Sequence, residues 1–109
     1  MERLVKGDIV VMEFPFTNFE SSIKRPAFVA AAFEEDCILC QITSKLKADK
    51  NSIIISDVDF IAGTINLVSA IRADKIFTAH KSLIQQKIGS LKKEKITEAT
   101  NAICDVFTN

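Results

Sequence analysis

The stretch Ser22-Ile23-Lys24-Arg25-Pro26-Ala27-Phe28-Val29 delivers an arginine where a polar connection meets an apolar run. Proline fixes its own φ and pushes the preceding residue into an extended conformation, so Arg25 is expected just ahead of a strand. Cys37-Ile38-Leu39-Cys40-Gln41-Ile42-Thr43-Ser44 reads as a second strand, with Phe33-Glu34-Glu35-Asp36 as the polar turn between them. An antiparallel hairpin centred near Glu34 and Glu35 sets the start of the first strand against the end of the second, and so sets Arg25 beside Thr43 and Ser44. Lys45, Lys47 and Lys50 follow on that side, and the acidic turn lies at the other end. A guanidinium, two hydroxyls and a lysine-rich loop gathered at one end suit a phosphate or another anion. Taken alone, Arg25 also reads as an ordinary exposed arginine, and Thr43 and Ser44 as residues that merely finish a strand.

The elements that must hold these groups come from a chain of 109 residues, which predicts one domain spanning 1–109 with a single core. Hydrophobic residues make up 48% and the formal net charge is zero, so the chain is globular, and any nucleic-acid site must be a local patch rather than a property of the whole. Glu2, Arg3 and Lys6 have no apolar signal core behind them, and no apolar run approaches the ~20 residues of a membrane span. The expectation is a cytoplasmic protein with no membrane partner.

Gly7 to Phe14 reads as a first strand ended by Pro15, and Ser52 to Ser56 as a short buried one. Asp57 to Gly63 is expected to turn the chain. Ile65 to Ile71 is a further strand, which leaves Arg72 at a strand end beside the turn Arg72-Ala73-Asp74-Lys75. From Lys92 the period changes: Ile96, Ala99, Ile103 and Val106 recur at helical spacing, with Ser90 as the candidate N-cap. Five or more strands and one terminal helix make a small, strongly curved β-barrel with a helix packed on it.

Cys37, Cys40 and Cys104 are an odd number, which argues against a disulfide framework and fits a reducing compartment. On a strand, Cys37 and Cys40 point to opposite faces, so the pair reads as small apolar strand residues rather than half of a zinc site. No metal site and no cofactor are expected. His80 reads as a surface histidine.

Gly7-Asp8-Ile9-Val10, Phe14-Pro15-Phe16, Lys24-Arg25-Pro26-Ala27, Ile42-Thr43-Ser44, Ala62-Gly63, Ser69-x-x-Arg72-x-Asp74-Lys75 and Ile88-Gly89-x-Leu91 resemble, in order and spacing, the MazF/PemK/Kid family of toxin endoribonucleases. The resemblance implies a mainly β, Src-homology-3-like barrel of the MazF/PemK/CcdB type with a C-terminal helix. It implies a homodimer, the toxin half of a type II toxin–antitoxin pair, neutralised by an antitoxin with a disordered tail. The implied activity is sequence-specific, metal-independent cleavage of single-stranded RNA, leaving a 2′,3′-cyclic phosphate and a 5′-hydroxyl. The family's catalytic pair falls on Arg25 and Thr43, the two residues the hairpin sets together. Implied RNA contacts are Phe16, Glu20, Lys24, Ser44, Lys45 and Arg72. Phe14 suits the core, which leaves Phe16 as the ring to stack on a base. Arg72 has a second reading as a structural partner of Asp74 or another acidic neighbour.

Two alternatives stand beside this one. A CcdB-like barrel that binds DNA gyrase without hydrolysis needs a tryptophan-containing tail, whereas this chain has no tryptophan and ends Val106-Phe107-Thr108-Asn109. A degenerate barrel would keep the antitoxin surface without turnover.

Overall fold

Apolar and β-branched runs separated by polar turns form seven strands in the computed structural model, which describes residues 3–14 and 23–109. They are β1 (Asp8–Phe14), β2 (Ile23–Ala32), β3 (Asp36–Thr43), β4 (Ser52–Ile55), β5 (Phe60–Gly63), β6 (Ser69–His80) and β7 (Ile84–Leu91), followed by the helix α1 (Lys93–Thr108). Every pairing is antiparallel, in one sheet of order β4-β6-β3-β2-β1-β7-β5 that curls into a half-barrel.

Successive strand residues face opposite sides, and here both sides are covered. Ile9, Phe28, Cys40, Ile71 and Leu91 join one cluster, on which α1 packs Ile96, Ala99, Ile103 and Val106. Val10, Met12, Phe14, Val29 and Leu39 join a second cluster with Leu4 and Ile84. The central strands are therefore apolar on both faces and read as continuous hydrophobic runs rather than alternating ones. Cys37 and Cys40 fall in opposite clusters, as their spacing requires. Burial pushes the Cys40 thiol up to about 12, so it is an inert core residue at neutral pH.

Several boundaries differ from the sequence-based expectation. Arg25 lies within β2, opposite Met12 of β1, rather than ahead of the strand. Pro26 is tolerated there because the β2–β3 ladder ends at Ala27 and Gln41, so the missing N–H removes no bond on that side. The segment Asp57 to Gly63 is more than a turn, since a short 3-10 turn at Asp57–Asp59 leads into β5. Residues 64–68 connect β5 to β6, with Leu67 and Val68 exposed, and β6 then continues through Arg72-Ala73-Asp74-Lys75, where its pairing with β3 shifts register. Those polar residues mark the outer face of a strand whose Ile71 and Ala73 are buried. The strand β7 has no counterpart in the expected elements. Lys92, not Ser90, precedes α1, because Ser90 belongs to β7.

Ser90 instead serves Asp8, the one fully buried carboxylate among the described residues, which is 1% exposed. The Asp8 carboxylate accepts hydrogen bonds from the Val5 amide and the Ser90 hydroxyl, both at 2.8 Å, and the Lys87 ammonium lies 3.4 Å away. This knot ties the turn before β1 to β7. Gly7 inside that turn has φ +97° and admits the Ile96 side chain of α1 where a Cβ would stand. Removing one buried partner leaves others unsatisfied, so Asp8→Ala is expected to cost about 2 to 3 kcal/mol. Asp8→Asn, whose amide oxygen still accepts, should lose less. Thermal unfolding checks this, with Asp8→Ala expected to melt at least ~10 °C below the parent.

Candidate functional site

The start of β2, the end of β3, the middle of β1 and β7, the start of β6 and the 64–67 connection enclose an open cleft of about 830 Å³. Two residues beyond the last β2–β3 pair, Ala27 with Gln41, the same register sets Arg25 opposite Thr43, and both line this cleft. Ser44 and Lys45 continue its wall, and β7 contributes Gln86, Lys87 and Ile88 from the other side. Val11, Pro26, Ile42 and Ile65 supply apolar lining.

Local bonds explain the arrangement. The Thr43 hydroxyl accepts the Lys45 amide at 3.1 Å, a side-chain turn that folds the chain back just after β3. A hydroxyl that accepts one bond keeps its own O–H to donate. Ser69, buried at the start of β6, donates its hydroxyl to the Leu67 carbonyl at 2.9 Å and holds the 64–67 connection over the cleft. Thr64 is secured in turn by a hydrogen bond from its hydroxyl to Asp57.

The electrostatics are one-sided. Among the described residues, Arg25, Lys45 and Lys87 line the cleft and no carboxylate does. Lys87 shares its charge with Asp8, but among the described residues Arg25 has no ion-pair partner. An exposed guanidinium beside a hydroxyl donor can grip two oxygens of one phosphate, and apolar walls strengthen such bonds by excluding water.

Of the residues named from the sequence, the structure brings Arg25, Thr43, Ser44 and Lys45 together. Lys24 is exposed on β2 opposite Glu13 and does not line the cleft. The lysine loop divides: Lys47 and Lys50 border a separate groove with Leu46 and Ile54. Arg72 is also outside the cleft, and its guanidinium is held by Asp49 at 3.0 Å and Asp74 at 3.2 Å, the structural pairing that formed its second reading. Phe16 and Glu20 lie outside the described residues. His80 is exposed and accepts the Ser82 amide at 3.1 Å, away from the cleft. Phe14 is a core residue, its ring 5.2 Å from that of Phe77.

Sequence reasoning missed the β7 wall. Gln85-Gln86-Lys87 breaks any apolar alternation, and β7 shifts register against β1 twice, so its periodicity is interrupted where it reaches the cleft. The available signal was the Ile88-Gly89-x-Leu91 motif, which marks where this strand ends.

A curled antiparallel sheet with a terminal helix and a cleft lined, among the described residues, by cations and no carboxylate defines a small half-barrel. Residues 5–107 match the family model described as PemK-like, MazF-like toxin of type II toxin-antitoxin system, and the chain belongs to that family. No curated protein matches the sequence. Among solved structures, the MazE-MazF complex (Form-III) from Deinococcus radiodurans is 14% identical with a TM-score of 0.78, over 96% of each chain. The Mycobacterium tuberculosis toxin MazF-mt6 is 15% identical with a TM-score of 0.73, over 93% of this chain and 96% of that one. An endoribonuclease in complex with its cognate antitoxin, from a mycobacterial species, is 12% identical with a TM-score of 0.74, over 97% and 96%. At these identities the likeness is one of fold.

Proposed function

We propose that this toxin is a metal-independent endoribonuclease that cleaves single-stranded RNA. The observation that carries the reading is the shared position of Arg25 and Thr43 on a cleft whose described lining is cationic and holds no carboxylate. Structures of similar fold that are described as endoribonucleases lend it further support.

In this reading the ribose 2′-hydroxyl attacks the adjacent phosphorus, the bond to the 5′-oxygen breaks, and a 2′,3′-cyclic phosphate and a 5′-hydroxyl result. Negative charge grows on the phosphoryl oxygens, where the Arg25 fork and the Thr43 hydroxyl stabilise it. Ser44 and Lys45 hold the flanking backbone, and Phe16, Glu20 and Lys24 are the further RNA contacts in this reading. DNA lacks the attacking hydroxyl and is not cut. The toxin acts in the cytoplasm as a homodimer, and a cognate antitoxin with a disordered tail neutralises it, consistent with fold neighbours solved with MazE or a cognate antitoxin.

Cleavage of an RNA oligonucleotide with mapped ends tests this. Activity is expected to survive a chelator, to yield the cyclic phosphate and to vanish on a DNA copy. Dependence on added divalent metal, or equal cutting of DNA, would sink the mechanism. Gyrase binding without RNA cleavage would replace it with a CcdB-like one.

A further inference from the structure

Every residue from Ser44 to Lys50 is exposed, so no buried side chain anchors the β3–β4 loop, although its first two residues form part of the cleft wall. Hydrogen bonds must fix it. At one end the Lys45 amide is tied to Thr43. At the other end the anchor is Asp49. Its carboxylate accepts the Asn51 amide at 2.9 Å, and its carbonyl accepts the Ser52 amide at 3.2 Å. Arg72 grips that carboxylate from β6, with Nη1 3.0 and 3.1 Å from the two oxygens and 2.6 Å from the Ser52 hydroxyl.

We propose that Arg72 is a positioning residue that acts through Asp49, holding the β3–β4 loop so that Ser44 and Lys45 stand on the cleft wall. The proposal rests on the ribonuclease reading above and replaces direct RNA contact by Arg72. Its side chain is only 12% exposed, its second terminal nitrogen is 3.2 Å from Asp74, and it is outside the cleft lining. Two carboxylates already occupy the guanidinium, which would have to give up those bonds to take a phosphate. The same pairing shows in Asp49 itself: partial removal from water raises its carboxyl, but the Arg72 and Asn51 hydrogen bonds and the guanidinium charge outweigh this and hold it below its ordinary value. The backbone closes the frame, since Ser52 pairs with Arg72 across β4 and β6, and the Ala73 amide donates to the Asn51 carbonyl at 2.8 Å.

The test compares Arg72→Ala, Asp49→Ala, the double variant and Arg72→Lys on an RNA oligonucleotide, with amide hydrogen exchange of the RNA-free proteins. Both single variants are expected to raise KM about 5- to 30-fold, the range one or two lost interactions produce, with kcat within about two-fold of the parent. The double variant should be no worse than either single one, because the two residues act in series. Arg72→Lys should recover part of the loss, and the Asn51 and Ser52 amides should exchange faster in both alanine variants. A silent Asp49→Ala beside a defective Arg72→Ala overturns the proposal in favour of direct contact. Unchanged KM in both, or a loss confined to kcat, also overturns it. If the parent cuts no RNA, the ribonuclease reading fails, while unchanged exchange in the variants refutes the anchoring independently.

Discussion

Arg25→Lys is expected to lower turnover nearly as far as Arg25→Ala, about 100- to 1,000-fold, the usual loss for one preorganised charge-stabilising donor. A lysine keeps the charge but offers a point donor in place of a planar fork, so it cannot hold two phosphoryl oxygens at once. The fold should be indifferent to either change. Arg25 is exposed and, among the described residues, has no ion pair to lose, so both variants should melt with the parent. Single-turnover cleavage with matched thermal unfolding checks this pairing of effects. Full activity in either variant would place the chemistry elsewhere, and a fall in melting temperature as large as that of Asp8→Ala would show Arg25 to be structural.

The largest effect on stability is expected at Gly63. Its φ of +70° is unfavourable for any side chain, and a Cβ there would stand 2.1 Å from the Ile88 carbonyl oxygen and 2.6 Å from the Gly89 Cα. Those are backbone atoms of β7, paired with β5 at Gly63 and Gly89, and they cannot rotate away. Conformational strain and overpacking each cost about 1 to 3 kcal/mol, so Gly63→Ala should lose roughly 3 kcal/mol or more. Gly7 is a useful contrast, because its clash is with the far end of Ile96 at 2.2 Å, a side chain that can be shortened. Gly7→Ala combined with Ile96→Ala should therefore melt above Gly7→Ala alone, whereas no single truncation rescues Gly63→Ala. A Gly63→Ala protein that melts within ~2 °C of the parent would show that β7 yields at this contact.

The hairpin geometry was legible because its signals are local. Pro26 excludes helix and the acidic turn sets the centre, which brings Arg25 to the neighbourhood of Thr43 and Ser44; the register shift between Val29 and Ala31, which the sequence does not announce, selects Thr43. The helix was legible for the same reason, from one amphipathic stripe ending a chain of strands. What escaped was non-local. Arg72 and Asp74 look like a turn until β4 and the 44–51 loop are placed beside β6, and only then do they become an anchor. The strand β7 reads as polar because two register shifts against β1 interrupt its alternation, so its glutamine and lysine could not be assigned to the cleft. Ser90 was misread as a cap because its true partner, Asp8, lies 82 residues away.

The same long-range pairing of β1 with β7 has a consequence for when the cleft is complete. The cleft takes Val11 and Arg25 from the first strands synthesised and Gln86 and Lys87 from the last. At about 5 to 20 residues per second, a nascent chain spends several seconds with Arg25 already outside the ribosome and no opposite wall to work against. That wall joins the cleft only once β7 has followed the first strands out. On the ribonuclease reading proposed above, the nascent chain would thus be harmless to the message and ribosome that are making it until β7 has emerged.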